Sequence, residues 1–391
     1  MKYNFDKEID RRGTKAYKLD LREKIFGNGD VIPLWVADMD FEAPKEVLDA
    51  IKERANHPIM GYSIRTSSFE ESVARWLNKW HQWHVEPSSI IFAPGVVPSL
   101  VVSILSFTNP GDEVVIQTPI YPPFYSVVND NERKLVKNTL INVNGRYEID
   151  FDLLEKQFAR PECKLFLFCN PHNPVGRAWN RDELLRLGAL CLKYNIVVIS
   201  DEIHADLLLF GNKHIPFASL SKELAQITVT CMAPSKTFNI AGLSTSFIQS
   251  ENRQLLNELR KKINCLQIHM GNLFGNIACE VAYSNGEEWL TQLHSYIEDN
   301  INFVLEFFAS KMPEVKIWKP EATYLMWIDF SAWKMTQNEL KHFLTHEAGV
   351  GLNDGTSFGE DGVGFMRLNV ATSRSVLVRA LELVYKARIG K

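Results

Sequence analysis

The sequence predicts an α/β protein, with a mostly parallel sheet covered by helices on both faces, plus a smaller α+β domain. Two observations predict this class. In the middle of the chain, short and continuously apolar runs alternate with amphipathic segments, and this pattern changes after about residue 285. A strand buried on both faces needs apolar residues at every position, as in a parallel sheet between two layers of helices. Strands that alternate with helices along the chain are typical of open, doubly wound sheets.

Five runs in this region have the composition of buried strands, and helical segments lie between them. The runs cover residues 113–117, 164–168, 196–200, 227–231 and 245–249. The helix predicted at 181–194 follows Asn180, a favourable N-cap residue, and has leucines at three- and four-residue spacing. Residues 150–159 have a similar pattern, so a second helix is predicted there.

The C-terminal part of the chain mixes helical and strand-like patterns. Helices are predicted at 287–311, 337–347 and 375–387, and a strand-like run covers 324–330. Because the regular alternation of strand and helix stops here, we expect this part to form the smaller α+β domain.

Composition and charge indicate an ordinary globular protein. The 391 residues are 46% apolar and 23% charged, with a net charge of −4, so neither nucleic acid nor an anionic membrane is an expected partner. The N-terminus has no apolar stretch of signal-peptide type, and no segment approaches the roughly 18 apolar residues of a membrane span. The six cysteines form no CxxC pair, so we expect buried free thiols, no metal site and a cytoplasmic protein.

Distinctive polar residues follow three of the predicted strands. These residues are Asn173, Asp201 and Lys236, with 28 residues separating the first two and 35 the last two. Each separation suits one helix plus one strand with their loops. Because ligands collect at the carboxyl ends of the strands in such sheets, we expect the three side chains to meet at one site.

Each of the three residues also has a plainer interpretation. An Asn-Pro pair is often only a tight turn, an aspartate after a strand is often a helix N-cap, and an isolated loop lysine is usually solvated. The doubled NPHNPVG of residues 170–176 is more specific, because it would fix Asn173 with its amide able to donate to a ligand oxygen. For Asp201 the functional alternative is a carboxylate aimed at a cationic heterocycle.

Two further features lie upstream of these residues. Gly95 stands at the start of a helix-like run, where backbone N–H groups can approach a phosphate. Tyr121 is either a core residue or a ring that stacks on an aromatic ligand. A lysine, an acid, a phosphate cradle, an amide donor and a stacking ring together are what pyridoxal phosphate requires, so this cofactor is predicted.

Eight strings of sequence resemble a known family. They are PLWVADMDF (33–41), GYS (61–63), FAPGVV (92–97), TPIYPPFY (118–125), CNPHNPVGR (169–177), VISDEIHADL (198–207), APSKTFNIAGL (233–243) and FMRLNVATSR (365–374). With them the chain resembles, nearly end to end, the fold-type I pyridoxal-phosphate enzymes. The strings WVADMDF, SDEIH and APSKTFNIAGL narrow the resemblance to the MalY/PatB-type cystathionine β-lyases, also called C-S lyases.

The resemblance implies a role for each residue around the cofactor ring. Lys236 would bind the cofactor covalently and act in catalysis, and Asp201 would pair with the pyridinium nitrogen. Asn173 would donate to the phenolic oxygen of the ring. Tyr121 would stack on the ring and belong to the catalytic group, and His204 would also contact the cofactor.

The resemblance also implies a phosphate site that two chains share. Gly95, Val96, Val97 and Ser235 would surround the phosphate, and Tyr62 would reach the phosphate of a neighbouring subunit. A homodimer with shared active sites is therefore expected. Many relatives carry a second serine three residues before the lysine, where this chain has Ala233, so one hydroxyl contact is missing or replaced by backbone donors.

The substrate and the domain boundaries follow from the same resemblance. Arg367 would hold the α-carboxylate of an amino acid in a bidentate fork, and Ala37 and Asp38 would also bind the substrate. The large cofactor-binding domain would cover residues 46–285. The small domain would combine residues 1–45 with 286–391.

The implied reaction is β-elimination, which cleaves the C–S bond of a cystathionine-like amino acid to a thiol, pyruvate and ammonia. Two alternatives stay open. A class I/II aminotransferase shares every residue named above and differs in requiring a 2-oxo acid. A regulatory protein that retains pyridoxal phosphate would act by binding a partner, although no catalytic position is lost from this sequence.

Overall fold

The structure, a computed structural model, describes residues 3–390 and is built around a seven-stranded sheet. In chain order its strands are Ile90–Ala93 (β1), Glu113–Thr118 (β2), Lys134–Thr139 (β3), Cys163–Cys169 (β4), Val197–Asp201 (β5), Thr228–Met232 (β6) and Ser246–Gln249 (β7). They are arranged across the sheet as β1-β7-β6-β5-β4-β2-β3. Strand β7 is antiparallel to both neighbours, and the remaining pairs are parallel. The mostly parallel sheet is thus confirmed.

All five predicted strands are present in this sheet, and its two other strands, β1 and β3, were not predicted. Strand β1 is only four residues long, too short for a clear signal in sequence. Strand β3 lies at the edge of the sheet and reads KLVKNT, with lysines and a partly exposed pattern. Edge strands carry polar residues because one side faces solvent, so they lack the continuous apolar run of a central strand.

Side chains of the central strands point alternately into two apolar layers. Val114 and Ile116 pack in one layer, and Val115 between them packs in the other. The first layer includes residues of the helices Val96–Phe107, Pro123–Asn129 and Arg253–Cys265. The second includes residues of the helices Phe151–Phe158, Arg181–Lys193 and Lys222–Ile227. Burial on both faces explains why these strands are apolar at every position.

A second sheet of four antiparallel strands lies in the C-terminal part. Its strands are Lys316–Ile317 (β8), Leu325–Asp329 (β9), Asn353–Asp354 (β10) and Phe365–Asn369 (β11), in the order β8-β9-β11-β10. The helices of this part are Glu287–Lys311, Gln337–His342 and Arg374–Ile389. The predicted helix 337–347 continues past His342 as a π-helical turn, Phe343–Glu347. The domain boundaries at residues 46 and 286 stay a prediction.

A short strand pair connects the N-terminal and C-terminal parts of the chain. Ile32–Pro33 pairs in parallel with Val350–Gly351, which ties the N-terminal segment to the C-terminal part. The other helices are Tyr17–Asp20, Arg22–Phe26, Lys45–Asn56, Ser67–His81 and Leu273–Asn285, and Ile141–Val143 pairs with Arg146–Glu148.

Across residues 3–390, no helix has the length and apolar character that crossing a membrane requires. Five of the six cysteines are buried free thiols as expected, whereas Cys265, the last residue of its helix, is exposed.

Candidate active site

The predicted site residues meet at the carboxyl edge of the large sheet. Strands β1, β2, β4, β5 and β6 all point the same way, so the loops that follow them converge. A cavity of about 210 Å³ lies there. The predicted residues that line it are Ala37, Gly95, Val96, Val97, Tyr121, Asn173, Asp201, His204, Ser235 and Lys236. The structure thus brings Asn173, Asp201 and Lys236 together at one edge of the sheet, as their spacing in the sequence indicated.

Lys236 lies in the short helix Pro234–Thr237, just after β6. Its Nζ donates a hydrogen bond to the carbonyl oxygen of Ala37 at 2.7 Å. Burial, together with the positive charge of Arg367, lowers the pKa of the Lys236 amine to about 8. An amine with this pKa is partly neutral near pH 7, as a nucleophile and general base must be.

Asp201, the last residue of β5, is a buried acid without a cationic partner. It is 5% exposed, and Ile203 N–H donates to its Oδ1 at 3.1 Å. Among residues 3–390 it forms no ion pair within 4 Å. Burial therefore raises the pKa of its carboxyl group to about 7. A cation placed in the cavity would restore the charged form, because an opposite charge favours ionisation.

His204 and Tyr121 add two rings to the cavity. Burial lowers the pKa of His204 to about 3, so this imidazole is neutral at physiological pH, and its ring meets that of Tyr324 edge-on at 6.3 Å. Burial also raises the pKa of the Tyr121 phenol. The phenol of Tyr121 is thus protonated near pH 7.

The phosphate cradle predicted around Gly95 has the expected geometry. Gly95 is the N-cap of the helix Val96–Phe107 and offers no side chain to the first N–H groups of that helix. A helix of this length directs a partial positive charge and free N–H donors at whatever lies beyond its N-terminus. Ser244 and Thr245, which the sequence analysis missed, also line the cavity. They bring hydroxyl groups, whereas Ala233 is buried outside the lining.

Arg367, on β11, lies against the cavity rather than in its lining. Its Nη1 donates to Asn173 Oδ1 at 2.9 Å, and its Nη2 donates to Trp35 O at 3.0 Å and Asn353 Oδ1 at 2.6 Å. Its Nε is buried and has no hydrogen-bond partner among residues 3–390. Burial lowers the pKa of the guanidinium to about 10, so it stays cationic at pH 7. A buried guanidinium with free donors is suited to a carboxylate.

The other predicted residues lie elsewhere in this chain. The carboxylate of Asp38 is turned toward Arg11, whose Nη2 lies 2.6 Å from its Oδ2, and does not line the cavity. Tyr62 is 97% exposed and also lies outside the lining. Sequence reasoning missed Tyr324 and Asn353. Tyr324 is the first residue of the predicted strand-like run 324–330, and Asn353 lies in the two-residue strand β10, so neither belongs to a loop motif.

These residues fit pyridoxal phosphate. The unpaired carboxylate of Asp201 suits a protonated ring nitrogen, and the helix capped by Gly95 suits a phosphate. The amine of Lys236 suits covalent attachment. Asn173 accepts from Arg367 with its oxygen, which leaves its amide nitrogen to donate.

Comparison with known proteins places the chain in a family. Residues 29–384 match the family model of class I and II aminotransferases. The chain is 45% identical to "Cystathionine beta-lyase PatB" of Bacillus subtilis, covering 98% of this chain and 99% of that protein. It is 31% identical to "Protein MalY" of Escherichia coli, covering 97% of each.

A solved structure agrees with these sequence relatives. Cystalysin from Treponema denticola, a structure that contains a pyridoxal 5′-phosphate cofactor, superposes with a TM-score of 0.97 at 38% identity, over 100% of both chains. The predicted family and fold class are thereby confirmed. The chain belongs to the class I and II aminotransferase family, in the branch of the MalY/PatB-type cystathionine β-lyases.

Proposed function

We propose that this protein is a pyridoxal-phosphate-dependent lyase that cleaves the C–S bond of cystathionine-like amino acids. The observation that carries the proposal is the placing of Lys236 and Asp201 in the lining of one cavity, with Arg367 against it. The pKa of the Lys236 amine is lowered to about 8, and the pKa of the Asp201 carboxyl group is raised to about 7. The relatives with the names cystathionine β-lyase and cystalysin support the same reaction. The products are a thiol, pyruvate and ammonia.

The residues around the cavity would hold the cofactor. Lys236 would bind it covalently, Asp201 would pair with its ring nitrogen, and Asn173 would donate to its ring oxygen. Its phosphate would be held by Gly95, Val96, Val97, Ser235 and the hydroxyls of Ser244 and Thr245, and its ring would contact Tyr121 and His204. Bound pyridoxal phosphate supplies an aldehyde for attachment and a conjugated ring that accepts the electron pair left by the α-proton.

The protein contributes positioning, proton transfer and charge. Arg367 holds the α-carboxylate of the substrate, which fixes the α-carbon near Lys236. Once the amino group of the substrate has displaced Lys236 from the cofactor, the freed amine, whose pKa burial lowers to about 8, would remove the α-proton as a general base. The phenol of Tyr121, protonated near pH 7, is suited to donating a proton to the departing sulfur. We place Ala37 at the substrate side of the cavity, whereas the carboxylate of Asp38 is turned toward Arg11.

The test is an assay that distinguishes lysis from transamination. Purified protein is mixed with L-cystathionine without any 2-oxo acid, and pyruvate is measured. Sustained pyruvate release supports the proposal, and its loss in Lys236→Ala, expected to exceed a thousandfold, locates the chemistry. Turnover that requires an added 2-oxo acid would instead identify an aminotransferase.

The working unit is a cytoplasmic homodimer in which each site receives Tyr62 from the other chain. An exposed strip supports this: Ile59, Met60, Tyr62 and Ile64 are 66, 55, 97 and 83% exposed. Contiguous exposed apolar residues favour burial against another protein surface, and closed two-fold dimers are the commonest oligomers.

A further inference from the structure

Residues 35–41, which we call the strap, touch both of the principal functional side chains. The carbonyl oxygen of Ala37 accepts hydrogen bonds from Lys236 Nζ at 2.7 Å and from Tyr324 Oη at 3.0 Å. Two residues earlier, the carbonyl oxygen of Trp35 accepts from Arg367 Nη2 at 3.0 Å. A displacement of the strap would therefore move the partners of the base and of the carboxylate anchor together.

Two asparagines attach the backbone of the strap to the rest of the fold. Asn239 Nδ2 donates to Met39 O at 3.1 Å and to Phe41 O at 2.8 Å. Asn369 Nδ2 donates to the carbonyl oxygens of residues 36 and 38 at 2.6 and 2.7 Å. The strap thus joins the loop after β6 to the end of β11.

The outer side of the strap carries a cluster of four charged groups. Arg11 Nη2 lies 2.6 Å from Asp38 Oδ2, and Arg11 Nη1 lies 2.7 Å from Asp40 Oδ1. Lys18 Nζ lies 2.9 Å from Asp40 Oδ2 and 3.7 Å from Asp38 Oδ1. The carbonyl oxygen of Lys18 also accepts from Trp35 Nε1 at 3.0 Å. Both cations come from the N-terminal segment.

A buried cluster of charged groups adds little to the free energy of unfolding. The Lys18 side chain is only 1% exposed, and removing an ammonium from water costs desolvation energy that an ion pair often only offsets. Burial opposes ionisation of Asp40, yet Lys18 and Arg11 hold the pKa of this carboxyl group below its ordinary value. A buried cluster of ion pairs is better suited to fixing a position than to adding stability.

We propose that Lys18 and Arg11 are positioning residues for the reaction: through Asp38 and Asp40 they hold the strap where Ala37 orients the amine of Lys236 and Trp35 orients Arg367. This inference rests on the proposed function. Asp38, expected to bind the substrate, acts instead through the strap. Because small displacements of catalytic groups lower rates steeply, loss of one cation should be visible in turnover.

The test uses the holoenzyme with Lys18→Met, which keeps the length of the side chain and removes its charge. We expect kcat to fall about tenfold to a hundredfold and KM to rise a few-fold. Amide hydrogen exchange in residues 35–41 should quicken, and the pH at which the cofactor absorbance changes should shift. The matched control is Lys7→Met: Lys7 Nζ lies 2.5 Å from Glu42 Oε1, but both side chains are more than half exposed (56 and 59%), so no change is expected.

Two further variants keep the test decisive. Asp40→Asn should resemble Lys18→Met, and the double variant should lose no more than the worse single variant, because the same interaction is removed. If Lys18→Met does not fold, Arg11→Gln, whose side chain is less buried at 23% exposed, replaces it. The inference is overturned if hydrogen exchange in residues 35–41 and the pH dependence of the cofactor absorbance are both unchanged. It is also overturned if exchange becomes faster throughout the protein. If the wild-type protein releases no pyruvate, the proposed function is wrong. Hydrogen exchange in residues 35–41 and the cofactor absorbance of the variants would still test whether Lys18 and Arg11 hold the strap in position.

Discussion

Asp201 and its neighbour Glu202 are both buried carboxylates, but their surroundings differ. Glu202 accepts hydrogen bonds from Ser200 Oγ at 2.7 Å and Phe217 N at 3.1 Å, and His214 Nε2 lies 2.6 Å from its Oε2. Asp201 accepts from Ile203 N at its side chain, and burial raises its pKa to about 7. The carboxylate of Glu202 finds its hydrogen-bond partners within the fold, whereas the carboxylate of Asp201 is available to a ligand.

Asp201→Asn should therefore stabilise the cofactor-free protein while damaging the enzyme. A pKa raised in the folded state means that the contribution of Asp201 to stability is fully present below its ordinary value of 3.8 and is lost as pH rises through about 7. At pH 8 the variant should exceed wild type by a few kcal/mol in urea unfolding, with little difference near pH 4. With the cofactor bound, kcat should fall sharply.

Glu202→Gln is the matched comparison for this measurement. Because it alters a satisfied carboxylate, it should lower the free energy of unfolding with or without cofactor. A cofactor-free Asp201→Asn protein that is less stable than wild type at pH 8 would show that Asp201 has a structural role.

Arg367→Lys should weaken substrate binding. A lysine keeps the charge but cannot present a planar fork, so KM for amino-acid substrates should rise about tenfold to a hundredfold. Steady-state kinetics with two substrates would show a parallel rise if the α-carboxylate is the group bound. The control is Arg133→Lys, another buried arginine, bonded to Thr108; it should change stability and leave KM unchanged.

At the scale of elements, the loop after β4 is held by one buried arginine. Arg177 Nη2 donates to both carboxylate oxygens of Glu183 at 2.9 and 2.8 Å, and its Nε donates to Glu321 Oε2 at 3.0 Å. It therefore ties the loop to the helix Arg181–Lys193 and to the segment before β9. Asn173 lies in this loop, so we expect its position to depend on that attachment.

Arg177→Met should lower both stability and turnover. It removes the buried cation between Glu183 and Glu321, which leaves them only the more exposed Arg146. It also frees the loop that carries Asn173, so kcat should fall about tenfold and the free energy of unfolding by about 3 kcal/mol. Asn180→Ala separates the two effects. It removes the cap of the same helix, where Asn180 Oδ1 accepts from Glu183 N at 2.9 Å, and should cost about 1 kcal/mol in unfolding without changing kcat. Unchanged kcat in Arg177→Met would contradict the dependence.

At the scale of the whole molecule, the position of Tyr62 favours a site shared between two chains. Its ring is 97% exposed and does not line the cavity around Lys236 in its own chain. The apolar strip around it precedes the helix Ser67–His81. A two-fold axis near this strip would give each site the other chain's tyrosine.

Complementation tests the shared site. Tyr62→Ala and Lys236→Ala are made separately and co-expressed to form mixed dimers. In a mixed dimer one site carries both lesions and the other carries neither, so about half of the wild-type activity should return. If Tyr62 acts within its own chain, both sites stay damaged and no activity returns. Tyr62→Ala alone must first be shown to have lost activity.

The sequence by itself determined the sheet and the position of the site. Strands buried on both faces are apolar throughout, so the apolar runs predicted the central strands. Ligands bind at the carboxyl ends of such strands, so the positions of Asn173, Asp201 and Lys236 predicted the site. Motif strings added the family. The edge strand β3 and the short strand β1 escaped because neither carries a continuous apolar signal of sufficient length.

Only the tertiary structure decided which groups are satisfied and which are left free. Asp201 and Glu202 are adjacent acids in the sequence, and nothing in the local pattern says that donors 12 and 15 residues further along the chain reach only the second. The strap likewise depends on contacts with Lys18, Asn239, Lys236 and Asn369. Local patterns report burial and chain direction, whereas the partners of a side chain are set by the packing of separate segments, which no local pattern records.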